Sequence, residues 1–279
     1  MAYIEPQKEH PTVLTVSSRK ATRILLVLSQ IQAMSPTVYL VSGANRGIGL
    51  GIVTQLAAGP DTIVFAGARD PSKASDLSAL SSKHPDTFHV VQLTSADKAS
   101  NEAAIAEIRR VAGRLDVIIA NAGISSFFGD VLDTSPEVAM EHQRVNFIGP
   151  LVLFQSAWPL LQKSPHPKFA IISSLAGSIQ VGAALPSGLL SYGASKAAVN
   201  YLAVKMHNEH KDLTVRVLNP GGVATDMAAF AQASDALMAQ MQLITVQESA
   251  AGILSVVDTA IRKEDEPKLT NYDGAEYPW

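Results

Sequence analysis

The chain has 279 residues, 47% hydrophobic and 17% charged, enough apolar mass for one large domain or two small ones. A net charge of −3 offers nothing to draw nucleic acid or an anionic membrane surface. With no cysteine, the sequence excludes disulfides, thiolate metal sites, cysteine-ligated iron–sulfur clusters and a cysteine nucleophile.

Residues 1–36 differ in character from the rest of the chain. Glu5 and Glu9 precede a mixed stretch carrying Arg19, Lys20 and Arg23. Its longest apolar run, Ile24 to Leu28, falls far short of the ~20 residues a membrane span needs. The acidic start is also wrong for a signal or transit peptide. The segment reads as a poorly ordered N-terminal extension with a candidate helix over 19–33, and a cytoplasmic location is expected.

From residue 37 on, short β-rich runs alternate with longer helix-compatible ones. The pattern predicts strands over 37–42, 62–68, 87–93, 115–120, 168–174 and 213–219. It predicts helices over 48–58, 72–82, 97–111, 136–161 and 191–210. Continuous apolar strands such as Val117-Ile118-Ile119-Ala120 imply burial on both faces, as in a parallel sheet under helices. The expected fold is α/β: a single Rossmann-type domain over 37–279, with a doubly wound parallel sheet and helices on both faces.

The first strand runs into Ser42-Gly43-Ala44-Asn45-Arg46-Gly47-Ile48-Gly49, a glycine-rich turn opening into a helix. Glycines let a backbone turn tightly against a pyrophosphate, and the free N–H groups of the helix start face the anion. The spacing is G-x-x-x-G-x-G, not the standard dinucleotide fingerprint. A NAD-binding site usually ends its second strand with an acid that holds the ribose 2′-hydroxyl. Here that place is Ala68, followed by Arg69, and Arg46 lies within the turn. Two guanidinium forks suit a 2′-phosphate, so NADP(H) is the expected cofactor.

Tyr192 and Lys196 stand four residues apart, on one face of a predicted helix. A free phenol titrates near ~10, and a neighbouring ammonium is expected to lower that value towards use as a proton donor. His207 and His210 are one helical turn apart without a third ligand. No metal site is expected there, only two solvated histidines.

Taken together, these pieces resemble the short-chain dehydrogenase/reductase family over nearly all of 37–279. The matching motifs occur in the family's order: the glycine turn, Ala120-Asn121-Ala122-Gly123, Val145-Asn146-Phe147, Ser173-Ser174-Leu175-Ala176-Gly177, Tyr192 with Lys196, and Pro220-Gly221 followed by Thr225. The resemblance implies that Tyr192 exchanges a proton with the substrate oxygen and that Ser174 hydrogen-bonds the same oxygen. The family's S-x-x-G register selects Ser174 over Ser173. Lys196 is implied to hold the nicotinamide ribose, and Asn146 to orient a relay water. The implied cofactor contacts are Ser42, Gly43, Asn45, Arg46, Gly47, Ile48, Gly49, Arg69, Asn121, Ala122, Gly123, Tyr192, Lys196, Pro220, Gly221, Val223 and Thr225.

The sequence departs from the family at three places. Ser42 replaces the usual threonine, Leu93-Thr94 stands where an aspartate is common, and the segment between Ser174 and Tyr192 is long. Met227, Met238 and Met241, with Ile124, Phe127 and Phe128, are candidate walls of an apolar substrate cleft. The tail Asn271-Tyr272-Asp273-Gly274-Ala275-Glu276-Tyr277-Pro278-Trp279 is similar to those of sniffer-type carbonyl reductases and norsolorinic acid ketoreductase-like enzymes. The resemblance therefore implies NADPH-dependent reduction of a bulky apolar or aromatic ketone, in a homodimer or homotetramer. The alternatives are alcohol oxidation by the same residues and a non-catalytic NADP(H) sensor.

Overall fold

The computed structural model describes residues 35–279, of which Thr37–Trp279 forms one compact unit. Its strands are β1 (Thr37–Ser42), β2 (Thr62–Ala68), β3 (Phe88–Gln92), β4 (Val117–Ala120), β5 (Lys168–Ile172), β6 (Thr214–Asn219), β7 (Leu269–Asn271) and β8 (Glu276–Tyr277). They form one sheet in the order β3-β2-β1-β4-β5-β6-β7-β8. The helices are α1 (Gly47–Ala58), α2 (Ser75–Lys83), α3 (Lys98–Val111), α4 (Pro136–Gln143), α5 (Gly149–Leu161), α6 (Leu190–Glu209), α7 (Asp226–Ser234) and α8 (Val246–Asp258).

Successive strand residues point to opposite faces, and here both faces are covered. Val38 and Leu40 of β1, with Ile118 and Ala120 of β4, pack into the layer holding Ile105 of α3, Leu153 of α5 and Val199 of α6. Tyr39, Val41, Val117 and Ile119 pack into the opposite layer, with Ile52 of α1, Leu77 of α2 and Ile253 of α8. No residue of β4 is more than 3% exposed. Burying a Val or Ile side chain contributes about 1.5–3 kcal/mol, which explains why so short a strand can sit at the centre of the sheet.

The chain winds from β1 outward to β3, then returns to place β4 on the other side of β1. That reversal opens a crevice at the carboxyl ends of β1 and β4. The glycine turn, Asn121, Ser174 and Asn219 all lie at this edge, just at or past the ends of β1, β4, β5 and β6.

The six predicted strands all form, with one or two residues trimmed at some ends. Several expectations need correction. The helix predicted over 136–161 is interrupted by a π-helical turn, Arg144–Ile148. Pro150 has no N–H to give the Asn146 carbonyl four residues earlier, while Gly149 N–H reaches back to Arg144 O. The sheet also ends in an antiparallel strand, β8. It returns beside β7 through a turn in which Gly274 takes φ 90°.

Four elements went unassigned from sequence: α7, α8, β7 and β8. For α8 the signal was present. Thr245 caps Glu248 N–H (3.1 Å) in a T-x-x-E start, followed by buried Ala250, Ile253, Leu254 and Val257 at helical spacing. The two helix histidines are packed instead of solvated. His207 is buried, and the His210 ring lies 4.2 Å from that of Trp158. Among the described residues there is no group of three metal-ligating side chains, and no helix long and apolar enough to cross a membrane. The candidate helix over 19–33 falls outside the described residues.

Candidate active site

The glycine turn uses left-handed backbone that glycine adopts without steric cost. Gly43 and Gly47 take φ 64° and 53°. A Cβ on Gly49 would overlap the Gly43 carbonyl and lie 2.6 Å from Asn121 Nδ2. Asn121 Nδ2 donates to the carbonyls of Ser42 (3.0 Å) and Gly43 (3.1 Å). The Ser42 hydroxyl accepts from the N–H groups of Asn121 and Ala122, both at 3.0 Å. Serine in place of threonine therefore keeps the hydroxyl that ties the two loops together. At the Leu93-Thr94 position, Thr94 is held through its backbone. Its N–H donates to Ser100 Oγ and its carbonyl accepts from Asn101.

Side-chain oxygens cap α3, α4, α7 and α8, while α2, α5 and α6 start without one; so does α1, which starts at Arg46 in the glycine turn. Its first-turn N–H groups are left for an anion, so this cradle fits a dinucleotide pyrophosphate. Arg69 follows β2 directly, exposed and without an ion pair among the described residues. Arg46 pairs with Asp226 at 3.0 Å, both side chains largely exposed. Thr225, which caps α7, lies against the turn: a Cβ on Gly47 would be 3.3 Å from its methyl. The Pro220 carbonyl is held by Ser249 Oγ (2.7 Å), Gly221 takes φ 83°, and Val223 bridges to Ile244. Asn45 and Ile48 sit in the glycine turn itself, and Gly123 lies close to both Asn146 and Lys196.

The residues expected to handle the proton gather at the end of β5 and the start of α6. Ser173 turns inward and donates to Asn200 Oδ1 at 2.6 Å, while Ser174, just past β5, lies within reach of the Tyr192 phenol. Gly177 packs on the Lys196 backbone, where a Cβ would come within 2.7 Å. That close approach is the physical content of the S-x-x-G register. Lys196 Nζ sits 5.5 Å from the Tyr192 ring centroid and donates to Ile172 O at 2.7 Å.

The π-turn delivers Asn146 to this cluster. Its Oδ1 accepts from Ile124 N–H (2.8 Å), and its Nδ2 donates to Ile124 O (2.9 Å) and Ser195 Oγ (2.9 Å). Ser195 in turn donates to Tyr192 O at 2.7 Å. Sequence reasoning missed Ser195. It also missed Asn219, which receives Leu175 N–H at 2.9 Å and so braces the turn after Ser174.

The electrostatics differ from the expectation that the ammonium lowers the phenol. Burial pushes Tyr192 up to about 12, partly offset by the Ser174 hydroxyl. Burial pushes Lys196 down to about 8. Both shifts have one origin, since desolvation penalises whichever form carries charge. The ammonium lies over the ring, not beside the oxygen, so it does little against that penalty.

Residues 37–236 match the family model described as short chain dehydrogenase. The chain is a short-chain dehydrogenase/reductase. Members of this oxidoreductase family recur among its relatives. An uncharacterized oxidoreductase of Schizosaccharomyces pombe is 36% identical over 253 residues, covering 87% of this chain and 98% of the relative. A norsolorinic acid ketoreductase of Emericella nidulans is 34% identical, covering 87% and 94%. Among solved structures, the NADPH-bound carbonyl reductase from chicken fatty liver superposes with a TM-score of 0.77 at 34% identity, covering 88% of this short-chain dehydrogenase/reductase and 100% of that chain.

Proposed function

We propose that this short-chain dehydrogenase/reductase is an NADPH-dependent carbonyl reductase acting on a bulky apolar or aromatic ketone. The convergence of Ser174, Tyr192, Lys196 and Asn146 beside the glycine cradle carries this reading, because a protein that only bound the cofactor would not need an acid–base set. Relatives named as ketoreductases and carbonyl reductases support the direction. The hydride comes from the reduced nicotinamide, chemistry that belongs to the cofactor.

The chain's own residues do the rest. Tyr192, protonated at neutral pH, gives its proton to the ketone oxygen. The Ser174 hydroxyl donates a hydrogen bond to that oxygen as negative charge grows there. Lys196 holds the ribose, and Asn146 fixes both the loop at Ile124 and, through Ser195, the start of α6. Apolar walls come from the loop after β4 and from α7. On α7, Met227 and Phe230 are exposed, whereas Met238 in the turn beyond it is buried and serves packing.

The test is loss of NADPH absorbance with a panel of aryl ketones, repeated with NADH. Turnover is expected with NADPH and much less with NADH. Arg69→Ala should raise the KM for NADPH about 10-fold and leave NADH unchanged, the range of a lost hydrogen bond between charged groups. Asp226→Asn should tighten NADPH, since it frees Arg46, but by no more than about fivefold, because exposed ion pairs are worth at most about 1 kcal/mol. Cofactor binding without turnover of any ketone or alcohol would favour a sensor. Equal turnover with NADH would remove the case for the two arginines.

A further inference from the structure

Three segments rim the cleft, following β4, β5 and β6 at their carboxyl ends; one side chain ties the last two, and the backbone beside it ties in the first. Asp235 ends α7. Its Oδ1 accepts from the backbone N–H groups of Leu237 (2.9 Å) and Met238 (3.0 Å), which shapes the turn beyond the helix. Its Oδ2 accepts from Ser187 Oγ (2.9 Å) and Gly188 N–H (3.0 Å), on the long segment between Ser174 and Tyr192. Gly188 O accepts from Gly129 N–H at 3.1 Å, on the segment after β4. The two backbones approach so closely that a Cβ on Gly188 would overlap Gly129 N. Next to this junction the rings of Phe128 and Phe230 pack at a tilt of 59°, centroids 5.9 Å apart, joining the first segment to α7 again.

No residue of α7 is buried, so the helix has no core anchorage of its own. A helix with no buried residue is placed by its surface ties. Those to the neighbouring rim are the Asp235 carboxylate and the aromatic pair.

We propose that Asp235 is a positioning residue for ketone selection: it straps α7 to the 182–190 segment and so sets the spacing of the Phe128–Phe230 wall. The role rests on the carbonyl-reductase reading above. With the strap intact, a ring-bearing ketone meets a preorganised wall. Without it, binding must first order α7. A small ketone, which does not reach the wall, is indifferent to the difference.

Asp235→Asn separates this role from simple capping. The amide oxygen can still receive Leu237 and Met238 N–H, but its NH2 meets the Gly188 N–H as donor against donor. Ser187→Ala cuts one arm only. Steady-state kinetics would be run on the full chain with NADPH, using acetone and a naphthyl methyl ketone, beside hydrogen exchange of the 236–245 amides with NADPH present. For Asp235→Asn the expected result is a KM for the naphthyl ketone raised about 10-fold at nearly constant kcat, with kcat/KM for acetone changed less than about 2-fold. Ser187→Ala should give a smaller shift in the same direction. Exchange of the 236–245 amides should quicken about 10-fold, the scale of a lost hydrogen bond to a charged acceptor. An unchanged naphthyl-to-acetone ratio in both variants overturns the proposal and leaves the reductase reading standing. If the wild type reduces neither ketone, the reductase reading fails, and exchange alone decides: unchanged exchange in Asp235→Asn overturns the strap, and quickened exchange supports it.

Discussion

Replacing Tyr192 by Phe should lower kcat for ketone reduction by about 10²–10⁴-fold, the usual contribution of a positioned general acid. The ring stays, so packing at the start of α6 is retained and NADPH affinity should change less than about 3-fold. Stability should not fall either. The phenol makes no firm hydrogen bond beyond its reach to Ser174, and burial already disfavours its ionised form. With its value pushed up to about 12, the phenol is fully protonated throughout the neutral range. Reductive turnover should therefore show no alkaline limb from Tyr192 below that value, whereas oxidation of the product alcohol, which needs phenolate, should climb with pH. Rate–pH profiles in both directions test this. Retention of more than a tenth of wild-type kcat by the Phe variant would end the acid–base assignment.

Lys196→Met should cut turnover sharply and yet make the cofactor-free protein more stable. Loss of turnover is expected at about 10²–10³-fold, as for other preorganised donors. The gain in stability comes from the depressed value of about 8 against an ordinary 10.5. Below about pH 8 lysine is charged in both folded and unfolded chains, so the fold carries the whole desolvation penalty, about 3 kcal/mol. Between those two values the folded chain loses its proton first, and stability rises with pH as the penalty is relieved. Methionine removes the charge. It also strands the Ile172 carbonyl that now accepts from Nζ, which takes back about 1 kcal/mol. The variant should melt above wild type near pH 7, and the gap should narrow towards about pH 10. A variant that melts lower at neutral pH would show that the buried ammonium is better compensated than its surroundings suggest.

Much of this protein could be read before it was folded. Alternating strands and helices, the glycine turn and the order of the later motifs are local facts. Tyr192 and Lys196 share a helix face because they are four residues apart, whatever surrounds them. The register of Ser174 with Gly177 was likewise visible, although its reason was not: Gly177 is pressed against the Lys196 backbone. Where local signals failed, they were weak or overridden. The three residues of β7 carry no pattern of their own, and the helix signal over 136–161 held no warning of a π-turn beyond Gly149-Pro150.

The sequence by itself determined the fold class, the family and the chemical cast, because each depends on residue identity at short range. Only the tertiary structure decided how that cast is charged and held. It joined Asn146 to Ser195 across 49 positions, Asp235 to Ser187 across 48 and Arg46 to Asp226 across 180. It also reversed the expected pull on the phenol, since burial is a property of everything packed around a group and cannot be read from its neighbours in the chain.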